Sequence, residues 1–347
     1  MIRRRLCLGA AAIALTVPLA GCVTVHGERA LVPSLRPAEA AKVLADFAAQ
    51  NNKATRAYDE QAITAAEAGP LGAIDQAGVR AKHANNPGGN KSYSPLKFSD
   101  AKFLIPEQRG WPKFFVAEAK TNRNGDARWL LVFRHGGARQ PWKADFLGVA
   151  TADELPDFAV DKAGHAEAVP LAGTDLAVQP GQLSAQYANY LDSGAGASGG
   201  SGKSGASGGS GSGSGKNGAA AAGVFADGPA TSGLKDSRAK SAHTASTVTQ
   251  YADQADVAGD FAPVALRTTD GGAVVFFGSR HQSRATFRAD HPLTLDDDTK
   301  ALTSGTPKTS ITLYRVAQSM VRVPPKKAGA KVTFVSYLTG LVSAKGE

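Results

Sequence analysis

The chain has 347 residues, with 39 Lys and Arg against 30 Asp and Glu for a net charge of +9, and only two cysteines. That length holds two domains of about 100–200 residues each. The basic excess is thinly spread, with no run after residue 5 longer than Lys326-Lys327, which excludes a clustered nucleic-acid-binding face.

In chain order, Arg3-Arg4-Arg5 precede an apolar run from Leu6 to Ala20, too short for the roughly 20 residues needed to cross a bilayer. A cationic head, a short apolar run and small residues at its end make a secretory leader over residues 1–21. Leu19-Ala20-Gly21-Cys22 closes it and resembles the lipobox of bacterial lipoproteins. The resemblance implies cleavage before Cys22, lipidation of its thiol and anchoring to the extracytoplasmic face of the cell membrane. Two or three acyl chains anchor a protein stably where one does not. Loss of the three leader arginines takes the net charge from +9 to +6. Cys7 leaves with the leader and Cys22 is acylated, so the folded part is expected to lack disulfides, thiolate nucleophiles and thiolate metal centres.

Residues 22–35 read as a tether, residues 36–172 as a first α+β domain and residues 173–347 as a second. Pro37 suits a first helical turn, and Val43, Leu44, Phe47, Ala54 and Tyr58 recur at helical spacing. Ile63, Ala66, Leu71, Ile74 and Val79 continue two further helices broken at Gly69-Pro70. Strands follow at Lys102–Ile105, Lys113–Lys120, Ala127–Arg134 and Trp142–Ala150, with Asn124-Gly125 as a hairpin turn.

Leu183, Tyr187, Tyr190 and Leu191 mark an amphipathic helix. The Gly/Ser/Ala-rich stretch 193–223 cannot bury enough apolar surface to offset its ordering entropy and reads as a disordered insertion. Leu234–Gln254 reads as a second helical region, with Ala239, Ala242, Ala245, Val248 and Tyr251 spaced at three. Further strands are expected at Pro263–Thr268, Ala273–Phe277, Ile311–Ala317 and Val332–Val342, with Asp270-Gly271-Gly272 as a turn. The order of helices and then strands thus occurs twice, and Phe115–Ala119 with Trp129–Phe133 parallels Pro263–Leu266 with Val274–Phe277. Two unrelated domains joined by the Gly/Ser stretch are the alternative.

Helices followed by a curved antiparallel sheet resemble the NTF2-like (cystatin-like) fold. The lipobox, the Tyr/Asn-rich first helix, the Trp142-Lys143-Ala144-Asp145-Phe146 strand and the Leu155-Pro156-Asp157 exit together resemble a group of actinobacterial lipoproteins of unknown function. That resemblance implies location and fold but no activity.

Several motifs imitate chemistry. Ala197–Ser204 fits a relaxed phosphate-loop pattern and Gly196–Gly200 a nucleophile elbow, but both lack the flanking strand and helix that would aim them. None of the seven histidines has a partner at helical ligand spacing. His83, His165 and His243 are expected to face solvent, whereas His135 and His281, each beside an arginine (Arg134, Arg280), could end strands at an anion-binding mouth. Asp296-Asp297-Asp298 suits the first turn of a short helix rather than a calcium loop. Tyr58 with Asp59, or Trp142 with Asp145, could seed a pocket acid.

The reading is a lipid-anchored, non-enzymatic envelope protein with no catalytic residue, cofactor or metal, and with Cys22 as its one modified site. Its partners would be the membrane, through Cys22, and an envelope protein, wall polymer or small ligand, not nucleic acid. A ligand carrier is the alternative, and an NTF2-like enzyme with a pocket acid–base pair a weaker one. Deleting Gly194–Gly215 should leave the calorimetric midpoint nearly unchanged, since each halving of a flexible loop changes its closure free energy by only about 0.6 kcal/mol. A large drop would mean that the segment is ordered.

Overall fold

Strands β4 (Lys113–Thr121) and β5 (Arg128–His135) are buried along nearly their whole length, on both faces. A sheet covered on one side alternates apolar and polar residues, whereas one covered on both reads as a continuous apolar run such as Phe114-Phe115-Val116-Ala117. The computed structural model describes residues 30–193, 223–288, 290, 293–327 and 329–347. The leader, Cys22, the phosphate-loop and elbow imitations and most of the Gly/Ser insertion lie outside them.

The first half begins with β1 (Leu31–Pro33) and helices α1 (Pro37–Ala57), α2 (Glu60–Ala66) and α3 (Gly69–Asn85). Pro37 opens α1, and the Glu39 carboxylate accepts the Arg36 N–H at 2.9 Å. Tyr58 ends α1 in the left-handed region, at φ 54°. Asp59 is the N-cap of α2, its carboxylate accepting the N–H groups of Gln61 and Ala62. Strands β2 (Phe98–Leu104), β4, β5 and β6 (Lys143–Ala150) form an antiparallel meander in that order, and the short β3 (Glu107–Arg109) pairs with β1. Gly125, at φ 57°, makes the β4–β5 turn as its sequence predicts.

In the second half, α4 (Leu183–Asp192) and α5 (Ser232–Ala242) precede β7 (Thr247–Asp256), β8 (Val264–Arg267) and β9 (Ala273–Phe287). A one-turn helix α6 (Asp297–Ala301), β10 (Thr303–Ser304), β11 (Ser310–Val323) and β12 (Thr333–Gly346) complete it. The sheet order is β10-β12-β11-β9-β7, with β8 paired to the same edge of β9 beyond the end of β7.

The helical reading of Leu234–Gln254 is therefore corrected: the helix stops at Ala242, and Val248 and Tyr251 lie on β7. Its period rested on alanines, which bury little, and no residue of α5 is buried. The β-branched Thr247-Val248-Thr249 instead pairs with the far end of β9. Strand order also displaces the internal parallel. As the second member of its meander, β9 stands where β4 does and not where β5 does.

The two sheets pack face to face between helices. One face of the first sheet, with Phe115, Leu131 and Phe133, receives Leu44 and Phe47 of α1. Its other face, with Val116, Leu130, Val132 and Phe146, meets Leu266, Val274, Phe276 and Met320 of the second sheet. The far face of the second sheet, with Val275, Phe277, Val321 and Val323, is covered by Leu183, Tyr187 and Tyr190 of α4 and by Phe225. Edge strand β6 has no further strand, so its amides are capped by side chains of the second sheet. Leu147 N–H donates to Gln318 Oε1 at 2.7 Å, and Val149 N–H to Ser336 Oγ at 3.0 Å. Between those two, a Cβ on Gly148 would come 2.6 Å from Met320 Sδ, so the close approach needs glycine. Segment 157–169 also hydrogen-bonds along β8, with Ala159 N–H to Arg267 O at 2.9 Å and Val169 N–H to Ala265 O at 3.0 Å.

Gln318→Leu should orphan the Leu147 amide and lower stability by about 1–3 kcal/mol in urea unfolding. An unchanged midpoint would mean that water replaces the side chain there.

Candidate functional site

A cavity of about 220 Å³ opens in the helical layer of the first half, between α1, α3 and the β4–β5 turn. Asn51 and Thr55 reach it from one face of α1 with Tyr58 at its end; Asp75, Val79 and Lys82 reach it from α3, Arg123 from the β4–β5 turn and Trp129 from the start of β5. Leu96 and Ile63 supply apolar wall.

Behind Asp75 lies Glu67, the residue that ends α2, 1% exposed. Its Oε1 accepts Asn51 Nδ2 at 3.3 Å, while Oε2 meets no protein donor among the described residues. The two carboxyls are within hydrogen-bonding reach of each other. A proton on Glu67 would let that oxygen donate to the Asp75 carboxylate. Burial first, then the charge of Asp75, push Glu67 well above the ordinary carboxyl range. Burial likewise raises Asp75 to about 6, against the pull of Lys82. The arrangement can hold a proton at the cavity wall and accept or donate one hydrogen bond there.

The nominated acid pairs do not converge. Asp59 is occupied in capping α2, and those backbone bonds hold its carboxyl low, so only Tyr58 of that pair lines the cavity. Trp142 packs on Phe115 and His135, with ring centroids at 5.1 and 4.8 Å. Asp145 is buried as the ion-pair partner of Arg134, whose Nη2 donates to Ala262 O at 2.6 Å. Burial still raises the Asp145 carboxyl, to about 7, with Arg134 pulling down.

The His–Arg pairs fail for one geometric reason: neighbours on a strand point to opposite faces. Arg134 turns inward to Asp145, while His135 sits between the rings of Trp111 and Trp142, each at 4.8 Å. Arg280 pairs with Asp256 at 2.6 Å, whereas His281 is buried within β9, not at an exposed strand end.

Around His281 the structure assembles the order Ser–His–Asp. Ser279 Oγ lies 2.9 Å from His281 Nε2, and His281 Nδ1 is bonded to Asp253. Arg238 of α5 grips Asp253 through two bonds of 2.5 and 2.8 Å. Burial would raise the Asp253 carboxyl, but its bonds to His281 and Arg238 hold it low. Ser279 is 0% exposed beneath α4, with the ring of Tyr187 over His281, so no substrate carbonyl reaches it. This chain fastens α5 and β7 to β9.

Only one group among the described residues has metal-ligating side chains clustered. Glu107, Asp161 and His165 bring ligand atoms within 4.8 Å of one another. Asp161 is already engaged by the N–H groups of Ala163 and His165, at 2.8 and 2.9 Å. His165 is thus half-buried against carboxylates instead of facing solvent, whereas His83 and His243 are exposed as expected. Asp296 caps α6 through Thr299 N–H at 2.8 Å, as the acidic run implied.

Sequence reasoning missed the Glu67–Asp75 pair. The usable signal was spacing: Leu71, Asp75 and Val79 recur every four residues, placing one acid on the apolar stripe of α3.

What the fold defines is a mixed α+β protein of helices and antiparallel sheets, without a closed barrel among the described residues. The narrower placement comes from similarity. A family model described as a domain of unknown function, DUF8094, matches residues 31–208 and 204–346, and the chain belongs to that family. An uncharacterized lipoprotein of Streptomyces coelicolor is 41% identical over 341 residues, covering 98% of this chain and 94% of its own. One of Streptomyces avermitilis is 40% identical over 339 residues, covering 97% and 94%. A second from S. coelicolor, also an uncharacterized lipoprotein, is 26% identical over 371 residues. No solved structure matches the chain.

Because the folded-state values of Glu67 and Asp75 are raised, the folded protein binds more protons than the unfolded chain above about pH 4. Their stabilising contribution is present in acid and is lost as pH rises through 6 and above. Glu67→Gln should therefore raise the thermal midpoint more at pH 7.5 than at pH 5; a difference independent of pH would contradict the shared proton.

Proposed function

We propose that the protein is a non-catalytic, lipid-anchored binding module of the cell envelope. Lipidated Cys22 holds it on the extracytoplasmic face of the cell membrane, and the cavity beside Asp75 takes a small polar ligand. The lipobox and the lipoprotein relatives support the anchor. Each half, 36–172 and 173–347, is an NTF2-like (cystatin-like) unit in this reading. The support is that helices precede a meander in both, β2-β4-β5-β6 in one and β7/β8-β9-β11-β12 in the other.

The observation that carries the binding role is the wall of the cavity. A buried carboxyl, Glu67, set against a half-buried one, Asp75, costs stability, and proteins concentrate such costs at functional sites. Around Asp75 stand an amide (Asn51), two hydroxyls (Thr55, Tyr58), two cations (Lys82, Arg123) and an indole (Trp129). This set suits a hydroxylated or amino-acid-sized molecule with one anionic group: cations for the anion, Asp75 for a hydroxyl or amine, Trp129 for an apolar face. At about 220 Å³ the cavity falls below the roughly 300 Å³ at which drug-sized ligands begin.

A second reading is favoured by the same pair: an acid–base enzyme in which Asp75 exchanges the shared proton with a substrate. It ranks lower because Glu67 is sealed from the cavity and the Ser279–His281–Asp253 chain is closed to substrates.

A thermal-shift panel of amino acids, hydroxy acids and sugar acids at millimolar concentration tests the binding role. A ligand at 100 times its Kd stabilises by about 2.7 kcal/mol. Lys82→Ala with Arg123→Ala should abolish the shift. No shift from any member, or one that survives both substitutions, would contradict the site. Turnover of a bound member, lost in Asp75→Asn, would favour the enzyme.

A further inference from the structure

We infer that the β1–β3 ribbon with Trp111, at the Lys113 end of the first sheet, is a membrane-seating face carrying Leu31, Val32 and Trp111 and resting in the headgroup layer of the bilayer that holds Cys22. The inference rests on the reading of Cys22 as the lipid anchor.

Exposure comes first. Leu31, Val32 and Trp111 are 50, 42 and 42% exposed and make up three of the eight large apolar residues left open among the described residues. They are gathered at one place. In the β1–β3 pairing Leu31 lies opposite Arg109 and Val32 opposite Gln108. Lys113 Nζ joins this pair to the tryptophan, donating to Val32 O at 3.5 Å and Pro33 O at 3.4 Å while lying 5.8 Å from the Trp111 ring centre. Behind Trp111 the ring of His135 and then that of Trp142 stack inward onto buried Phe115, so Trp142 belongs to the core and not to the patch, and exposed Arg139 lies in the loop between His135 and Trp142. The acids of this end, Glu107 and Asp161, are turned to His165. An indole beside aliphatic side chains and cations is the composition of a membrane-interface belt.

Reach decides the occupant. Nine residues separate Cys22 from Leu31, at most about 30 Å of fully extended chain. An anchored Cys22 therefore keeps this face within about 30 Å of the lipid surface, where a free protein partner would have to compete with the bilayer. The cavity sits at the other end of the same sheet: Trp129 pairs with Ala119, whereas His135 pairs with Lys113. Six residues of strand separate them, about 20 Å, so seating this face presents the cavity away from the membrane.

The test uses the full-length lipidated protein in phosphatidylglycerol-containing vesicles with brominated acyl chains, which quench indoles lying at headgroup depth. The wild type should be quenched and W111F should lose most of that quenching, since Trp129 and Trp142 lie in the cavity and behind His135. The second variant, Leu31→Ser with Val32→Ser, alters only exposed side chains and should reduce the quenching with an unchanged thermal midpoint. The mass of Cys22 is read from the same sample. Lipidated protein whose wild type and W111F are quenched equally overturns the seating face and leaves the anchor standing. An unmodified Cys22 overturns both.

Discussion

Burial of two sheets against each other, each with a helix on its far side, is the constraint from which the rest follows. Val116, Val132 and Phe146 in one sheet and Val274, Phe276 and Met320 in the other fill a common core. Sheet interiors of this kind are close-packed, and every polar group caught between them needs a partner. Hence Gln318 and Ser336 turn from the second sheet to satisfy the edge amides of β6, and hence a glycine stands at position 148. A body with no cysteine among its described residues gains its stability from this shared core, not from cross-links.

The buried charges sort themselves by partner. Asp145 has Arg134, and Asp253 has both Arg238 and His281. These pairs join β5 to β6, α5 to β7 and β7 to β9, with cation and carboxylate within direct reach. Breaking one would leave an uncompensated buried charge, so their role is structural. Glu67 has no cation, and its neighbour is another carboxyl. Among the described residues this carboxyl pair, in which Glu67 has no cation, lies beside the cavity, and that coincidence separates a site from a brace. The Ser279–His281–Asp253 chain illustrates the opposite case, where the right atoms in the right order lie where nothing can approach.

Much of the fold was legible in residue order because its main signals are local. Asn124-Gly125 specified a hairpin, Pro37 a helix start, and the aromatic and β-branched run Lys113–Lys120 a strand. Strand β7 was not legible: alanines at a spacing of three imitate a helix, and pairing with the outer half of β9 decides otherwise. Histidine placement failed similarly, since whether His281 faces α4 or solvent depends on how far β9 extends past Phe277. The site was half legible. Tyr58 was nominated, but its neighbour Asp59 serves as a helix cap, and the acid that matters arrives from α3 through a stripe shared with Leu71 and Val79. Two acids eight positions apart announce no contact until the break at Gly69 folds α2 against α3.

If the sheets share one core, neither half can open alone, and the cavity is carried on a single rigid body. Native-state hydrogen exchange tests this most directly. The amides of β4 and β5 in one sheet and of β9 and β11 in the other should exchange only through a common global opening, with the same free energy and the same response to denaturant. Two distinct opening free energies, one for each sheet, would contradict the shared core.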